Sequence, residues 1–148
     1  MKVPQLLIAF AISVGLALVT VLMHYEVLNI AGAMRRRFSL PMRVDLLLLV
    51  IAAIIAHVVG ICLFAVAYAW MHQHPDLGAL AGLFSGSAAD FFYFSITCYT
   101  TIGFGEVYAT GPMRIVAALE GLNGLVLITW SASFAYASTS DLWKRKQD

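Results

Sequence analysis

Three long runs of apolar residues limit what this chain can fold into more than any other feature of its sequence. The runs cover residues 6–23, 44–71 and 113–137. Each is close to or longer than the ~20 residues that a helix needs to cross a bilayer. Only 11% of the 148 residues are charged, whereas a typical soluble domain carries about 25%. The sequence therefore predicts an all-α membrane protein with three transmembrane helices and no separate soluble domain.

The first apolar run has two interpretations. Lys2 precedes it and residues 31–33 (Ala-Gly-Ala) resemble a cleavage site, as in a secretory signal peptide. The apolar segment is, however, longer than the roughly 7–15 residues of a signal-peptide core. We therefore expect a retained N-terminal helix within residues 1–34, with His24 and Glu26 anchoring its end at the membrane interface.

The distribution of basic residues predicts the topology. A short basic connector at residues 35–43 contains Pro41, which breaks helix continuity, and residues 138–148 form a polar tail. If both segments are cytoplasmic, that side holds seven basic residues and the other side holds only Lys2 and Arg114, as the positive-inside rule requires. The seven are Arg35, Arg36, Arg37, Arg43, Lys144, Arg145 and Lys146. We expect a multi-pass protein of the plasma (inner) membrane with its N-terminus outside and its C-terminus in the cytoplasm.

The consecutive residues Arg35, Arg36 and Arg37 have a second interpretation as a binding site for anionic lipid. The positive-inside bias alone is enough to explain them, so both interpretations stay open. Membrane lipids are in either case expected partners of the chain.

A re-entrant pattern lies between the second and third apolar runs. Residues 88–99 are aromatic and amphipathic, and Ser85 or Ser87 can cap a short helix there, with Asp90 in its first turn. The loop at residues 100–105 follows, and then a long apolar helix. A short helix, an extended glycine-bearing loop and a long helix are together typical of an ion pore that is entered from outside.

The loop has the residues needed to bind a dehydrated cation. Backbone carbonyls can replace the hydration shell of K⁺. Aiming them at one axis needs dihedral angles that Gly103 and Gly105 adopt without a Cβ penalty. Ile102 and Phe104 are expected to point away from the axis, into the protein. Because one loop lines only one side of an axis, the chain is expected to form a homotetramer, the arrangement seen in such filters.

Residues 100–106 read Thr-Thr-Ile-Gly-Phe-Gly-Glu and resemble the potassium-channel signature, usually Thr-Thr-Val/Ile-Gly-Tyr/Phe-Gly-Asp. With its flanks, the segment 44–137 resembles a prokaryotic pore-only potassium channel, to which the first helix is an addition. The resemblance implies a tetrameric potassium-channel pore fold with outer helix, pore helix, filter and inner helix. These elements would occupy residues 44–71, 88–99, 100–105 and 113–137.

The resemblance also implies roles for individual residues. The ion-binding residues would be Thr101, Ile102, Gly103, Phe104 and Gly105, with K⁺ at the first four and no other cofactor. The residues supporting the filter would be Tyr93, Thr97, Thr100, Glu106 and Glu120. Gly124 would be a hinge, and the cavity would be lined by Leu125, Ile128 and Ala132.

The sequence departs from the family pattern at three positions near the filter. Glu106 stands where Asp is usual, Ala109 where Pro is common, and Thr97 where some members carry a carboxylate behind the filter. Glu106 has two interpretations, a clamp paired with Tyr93 or a member of a ring of carboxylates that concentrates cations. The departures affect the support of the filter and leave its ligand stretch intact.

Glu120 lies at membrane depth, where a carboxylate is expensive and usually has a partner or a function. It is expected either to brace the filter through Thr97, Tyr99 or Asn123, or to gate the filter by protonation.

Several histidines also have alternative roles. His57 is expected to be a neutral residue with one hydrogen bond, with a pH sensor as the alternative. His72 and His74 give a weak indication of a metal site in an exposed outer loop.

The sequence predicts a potassium-selective channel and not an enzyme. No nucleophile–base set, phosphate loop or metal cluster is evident, nucleic acid is not an expected partner, and Cys62 and Cys98 are expected to be small core residues. Two alternatives stay open. One is a weakly selective cation channel, and the other is a pore-like membrane protein that conducts little and acts as a regulatory subunit.

Overall fold

The computed structural model describes residues 3–37 and 41–144. Its elements are, in chain order, α1 (Val3–Arg37), α2 (Met42–His72), a 3₁₀ turn (Pro75–Leu77), β1 (Leu80–Gly82), α3 (Ala88–Tyr99), β2 (Val107–Ala109) and α4 (Met113–Lys144). Among these residues α1, α2 and α4 are long and apolar enough to cross a membrane. Helices suit such segments because they satisfy their own backbone hydrogen bonds in lipid. The all-α membrane fold predicted from the sequence is confirmed.

Helix α1 is longer than the sequence suggests. It continues through His24 and Glu26 to Arg37, and the His24 side chain is completely buried. The prediction that these residues anchor a helix end at the interface is therefore wrong. His24 is instead inside the helix bundle, where it has polar partners. Residues 35–37 of the expected connector form the last turn of α1, and residues 38–40 lie outside the described residues.

The first helix packs along α2 and α4 of its own chain. Near its start, the Gln5 amide donates a hydrogen bond of 3.0 Å to Asp76 in the segment after α2. Further along, the Asn123 amide of α4 donates to the Thr20 hydroxyl over 2.9 Å. The start of α1 therefore lies at the same end of the bundle as the end of α2.

A small antiparallel hairpin closes the segment that contains α3. Strand β1 pairs with β2, and the register places Leu80 opposite Ala109 and Gly82 opposite Val107. The sequence predicts only a loop for residues 77–86, because a three-residue strand is too short to show an alternating pattern. The pairing brings together the two ends of the segment that carries α3 and the candidate filter.

The main apolar core lies where α2, α3 and α4 meet next to this hairpin. Its fully buried members include Phe64, Tyr68, Met113 and Val116. The rings of Tyr68 and Phe94 meet edge to face with centroids 4.9 Å apart, a favourable aromatic geometry. This core holds α3 against the rest of the bundle.

Candidate functional site

The start of α3 is fixed by a capping box. The Ser87 hydroxyl accepts a hydrogen bond from the Asp90 backbone N–H, and the Asp90 carboxylate accepts from the Ser87 N–H in return. The carboxylate also accepts from the Ser85 hydroxyl and N–H at 2.7 and 2.8 Å. These bonds, the Ser85 hydroxyl first, lower the pKa of Asp90 to about 2. Both serines considered in the sequence thus contribute, with Ser87 as the cap.

The end of α3 holds the beginning of the candidate filter. The Thr100 hydroxyl donates to the Ile96 carbonyl over 2.6 Å, so Thr100 lies against the helix and supports the loop from behind. The Gly103 N–H donates to the Thr97 carbonyl over 3.2 Å. The loop is therefore tied back to the last turn of α3 before it extends.

The loop alternates between two backbone conformations. The φ angles of Thr101, Gly103 and Gly105 are +59°, +54° and +84°. Among the described residues, Thr101 is the only residue other than glycine with a positive φ. A positive φ at every second residue is incompatible with either a helix or a strand. The stretch therefore belongs to neither a helix nor a strand.

The carbonyl oxygens of residues 101–105 have no hydrogen-bond donor within the described part of the chain. All five residues are exposed. Backbone carbonyls withdrawn from water normally find a partner, and unsatisfied polar groups are especially costly in a membrane. Five successive carbonyls without an internal partner can therefore serve as ligands for something outside the chain.

The side chains of Ile102 and Phe104 remain 58% and 66% exposed. The prediction that they point into the protein and brace the loop is wrong for the single chain. The core of the chain lies beside α3, and the loop extends beyond it. These apolar side chains are free to contact another copy of the chain.

Glu120 joins three helices behind the loop. Its carboxyl group is fully buried and accepts a hydrogen bond of 2.5 Å from the Tyr68 hydroxyl of α2. Its other oxygen lies 2.6 Å from the Ser95 hydroxyl of α3, which also lies 2.8 Å from the Ile61 carbonyl. A hydrogen-bonded brace at this position is thus present. Through Glu120, these contacts connect α4 to α2 and to the middle of α3.

The partners expected for Glu120 from the sequence are wrong. The Thr97 hydroxyl donates to the Phe94 carbonyl, Asn123 donates to α1, and the Tyr99 hydroxyl contacts His57. Tyr68 and Ser95 were not among the partners predicted from the sequence. Their hydroxyls are the kind of donor that a buried carboxylate needs, but no local pattern brings them to Glu120.

A second contact supports the other end of the loop. The Tyr93 hydroxyl of α3 donates a hydrogen bond of 3.1 Å to Glu106, which is the contact of the clamp interpretation, while the ring of carboxylates stays a prediction. Desolvation, with a further contribution from Glu106, raises the pKa of Tyr93. The loop is therefore attached to α3 both where it begins and where it ends.

Four polar side chains, one each from α1, α2, α3 and α4, meet between the helices of the bundle. Nδ1 of His57 lies 2.9 Å from the Tyr99 hydroxyl, and its Nε2 lies 3.1 Å from the Ser131 hydroxyl. The same hydroxyl lies 2.7 Å from Nε2 of His24. His57 thus has two polar contacts where the sequence analysis expected one. The roles of His24 and Ser131 were not foreseen.

Gly124 allows α4 to approach the end of α3 closely. A Cβ atom added to Gly124 would lie 2.1 Å from the carbonyl oxygen of Tyr99, far inside van der Waals contact. This contact explains the glycine by packing, whereas the sequence analysis expected a hinge. The nearby residues Leu125, Ile128 and Ala132 are exposed, so no other part of the described residues covers this face of α4.

Other candidate residues have structural partners. Within the described ranges, no group of three or more His, Cys, Asp or Glu residues could hold a metal ion. Nδ1 of His72 accepts from the Leu80 N–H, and Nδ1 of His74 lies 2.8 Å from the Trp70 carbonyl. Cys62 is exposed, so its expected place in the core is wrong, because it faces away from the bundle.

These features define a membrane protein in which a short helix and an exposed, conformationally alternating loop stand between two spanning helices. Residues 57–137 match the model of a family described as "Ion channel". The match covers more than half of the chain, and the chain belongs to this ion-channel family. Comparison with curated proteins and with solved structures finds no significant match.

Proposed function

We propose that this chain forms a potassium-selective channel that conducts K⁺ passively. The carbonyls of residues 101–105, which are exposed and have no donor among residues 3–37 and 41–144, carry this proposal. K⁺ would lie at Thr101, Ile102, Gly103 and Phe104, with Gly105 completing the ligand stretch. The likeness of the loop to the potassium-channel signature supports K⁺ as the ion. Membership of an ion-channel family indicates transport rather than catalysis.

The proposed assembly is a homotetramer. A single loop presents its carbonyls from one side only, whereas a dehydrated cation needs ligands all round. The described part of the chain leaves the apolar side chains of Ile102 and Phe104 exposed. It also leaves uncovered the α4 face at Leu125, Ile128 and Ala132. Around a fourfold axis, the side chains of the loop would contact neighbouring copies and the α4 face would line a cavity.

The proposed location is the plasma (inner) membrane, with the hairpin and the N-terminus outside. The contact between Gln5 and Asp76 places the start of α1 at the same end as the hairpin. The positive-inside rule assigns the opposite end to the cytoplasm. Anionic lipid at Arg35, Arg36 and Arg37 is proposed on sequence grounds, since they follow the membrane span of α1.

The test is a flux and voltage measurement on the purified full chain in liposomes and planar bilayers. With K⁺ on one side and Na⁺ on the other, we expect a current that reverses far from zero, at a potential that corresponds to a much higher permeability for K⁺ than for Na⁺. Protein-free bilayers are the control, and the mass of the protein–detergent complex should correspond to four copies.

Two results would replace the proposal. A reversal potential near zero with equal K⁺ and Na⁺ permeability would indicate a weakly selective cation channel. Absence of flux in every tested lipid, voltage and pH would favour a non-conducting regulatory subunit.

A further inference from the structure

A chain of four polar side chains links the first helix to the start of the candidate filter. It runs from His24 of α1 through Ser131 of α4 and His57 of α2 to Tyr99, the last residue of α3. The heavy-atom distances are 2.7, 3.1 and 2.9 Å. The rings of His24 and His57 are also in contact, with centroids 4.7 Å apart. Each member comes from a different helix.

One assignment of hydrogens satisfies all the contacts in this chain. The Ser131 oxygen lies 3.0 Å from the Leu127 carbonyl, which can only accept, so the single hydroxyl hydrogen points there. The Ser131 oxygen then accepts from Nε2–H of both His24 and His57. Nδ1 of His57 is left without a hydrogen and accepts from the Tyr99 hydroxyl. This direction of donation follows from the network rather than from observed hydrogens.

His24 is held in this network at some energetic cost. Its side chain is fully buried, and its Nδ1 atom has no hydrogen-bond partner among the residues that the structure describes. A buried acceptor without a donor is unfavourable, and a leucine at this position would avoid the penalty. The contact between Nε2 and the Ser131 hydroxyl is the polar interaction that offsets part of this cost.

Tyr99 is a point at which such a link can act on the loop. Its ring is 1% exposed, its hydroxyl is held by His57, and its carbonyl lies against Gly124. Two residues later, Thr101 begins the stretch with alternating φ. A change in the position of Tyr99 would therefore move the first carbonyls of the loop.

We propose that α1 positions the filter, and that it does so through His24, Ser131 and His57 acting on Tyr99. This inference rests on the proposed function, because it assigns the loop to ion selection. In this view α1 is part of the support of the filter as well as a membrane anchor. His24, Ser131 and His57 are positioning residues, since they reach the loop only through Tyr99.

The test measures the K⁺/Na⁺ bi-ionic reversal potential of the full-length channel in planar bilayers. Poor folding lowers the number of conducting channels and hence the current, but it does not move the reversal potential. Tyr99→Phe removes only the hydroxyl, and His24→Leu removes the contact with Ser131. Each should lower the K⁺/Na⁺ permeability ratio roughly two- to tenfold, the range that corresponds to one hydrogen bond.

The double variant tests whether the two residues belong to one chain. Because His24 acts through Tyr99, the double variant should lose no more selectivity than the larger single loss, whereas independent sites would add. Tyr25→Phe is the matched control, since Tyr25 lies next to His24 on α1 but is 47% exposed, and it should leave the ratio unchanged. His24→Gln keeps an N–H donor for Ser131 and should restore most of the ratio lost in His24→Leu. If His24→Leu does not assemble, Ser131→Ala, which removes the hydroxyl between the two histidines, takes its place and must lower the ratio.

Three results would overturn the inference while the wild-type channel still selects K⁺. These are an unchanged ratio in Tyr99→Phe, an unchanged ratio in His24→Leu, and additive losses in the double variant. A wild-type protein without selective K⁺ current would instead count against the proposed function, so the two failures can be distinguished.

Discussion

The Tyr68 hydroxyl of α2 donates a hydrogen bond of 2.5 Å to the fully buried carboxylate of Glu120 on α4. With Ser95 in contact with its other oxygen, the Glu120 side chain connects three helices at one point. Removing a donor from a buried carboxylate leaves it under-satisfied, which costs more than the bond itself contributes.

We therefore expect Tyr68→Phe to lower the free energy of unfolding by about 1–3 kcal/mol. The ring is retained, so the apolar packing against Phe94 is preserved. Unfolding in mixed detergent measures the difference. Tyr108→Phe is the matched control, because Tyr108 is 53% exposed, and it should change stability by less than about 0.5 kcal/mol. Equal effects of the two substitutions would contradict a structural role for the Tyr68–Glu120 bond.

The close contact between Gly124 and Tyr99 predicts a substitution that overpacks the bundle. In Gly124→Ala the new Cβ would meet a backbone carbonyl at 2.1 Å, so α3 and α4 must separate. Overpacking of this kind costs typically about 1–3 kcal/mol, and the same unfolding assay would measure it.

Gly15→Ala provides the control for this substitution. Gly15 also lies in a helix, but a Cβ there would meet no atom within 4 Å. The higher helix propensity of alanine should leave that variant as stable as the wild type or up to about 1 kcal/mol more stable. A neutral Gly124→Ala would show that α4 does not approach Tyr99 this closely.

Features encoded locally could be predicted from the sequence. The serines before α3 and Asp90 in its first turn lie within six residues of one another, and a capping box depends only on such short spacing. The three spanning helices were also predictable, because an apolar run long enough to cross a membrane indicates a spanning helix without further information. The partners of Glu120 were not, since Tyr68 is 52 residues away and only the packing of helices brings the two together.

His24 shows a second reason why some contacts could not be predicted from the sequence. A polar residue at the end of an apolar run can face either the membrane interface or another helix. The two cases give the same pattern of residues, and only the position of α1 against α2 and α4 separates them. Its partner Ser131 likewise gives no sign in the sequence that it differs from the neighbouring Ser133, which is exposed.

The capping box at the start of α3 predicts a dependence of stability on pH. The pKa of Asp90 is about 2, below the ~3.9 of an unfolded chain. A group whose folded-state pKa is lowered stabilises the fold fully above its unfolded pKa, and the stabilisation is lost as the pH falls towards the folded value. Thermal unfolding of wild type and Asp90→Ala should therefore differ by a constant amount from neutral pH down to about 4.5.

Below that pH the two unfolding curves should converge as the carboxylate becomes protonated. Glu26→Ala is the control, because Glu26 is exposed on α1 and its removal should have little effect throughout. A difference between wild type and Asp90→Ala that persists unchanged to about pH 2 would show that the charge of Asp90 contributes nothing.

The alternating backbone of the loop predicts which glycine matters for ion selection. Gly103 has a φ of +54° and Gly86 a φ of +85°, and a Cβ added to either would meet no atom of the chain within 4 Å. Alanine in this region of φ is strained by about 1–2 kcal/mol, so both variants should lose a similar amount of stability.

Gly103 lies among the proposed K⁺ ligands, however, whereas Gly86 lies in the segment before α3. Gly103→Ala should therefore shift the K⁺/Na⁺ reversal potential towards zero, because a strained residue 103 would turn its carbonyl away from the axis. Gly86→Ala should leave the reversal potential at the wild-type value. Selectivity retained in Gly103→Ala, or lost equally in both variants, would remove the loop from its proposed role in choosing the ion.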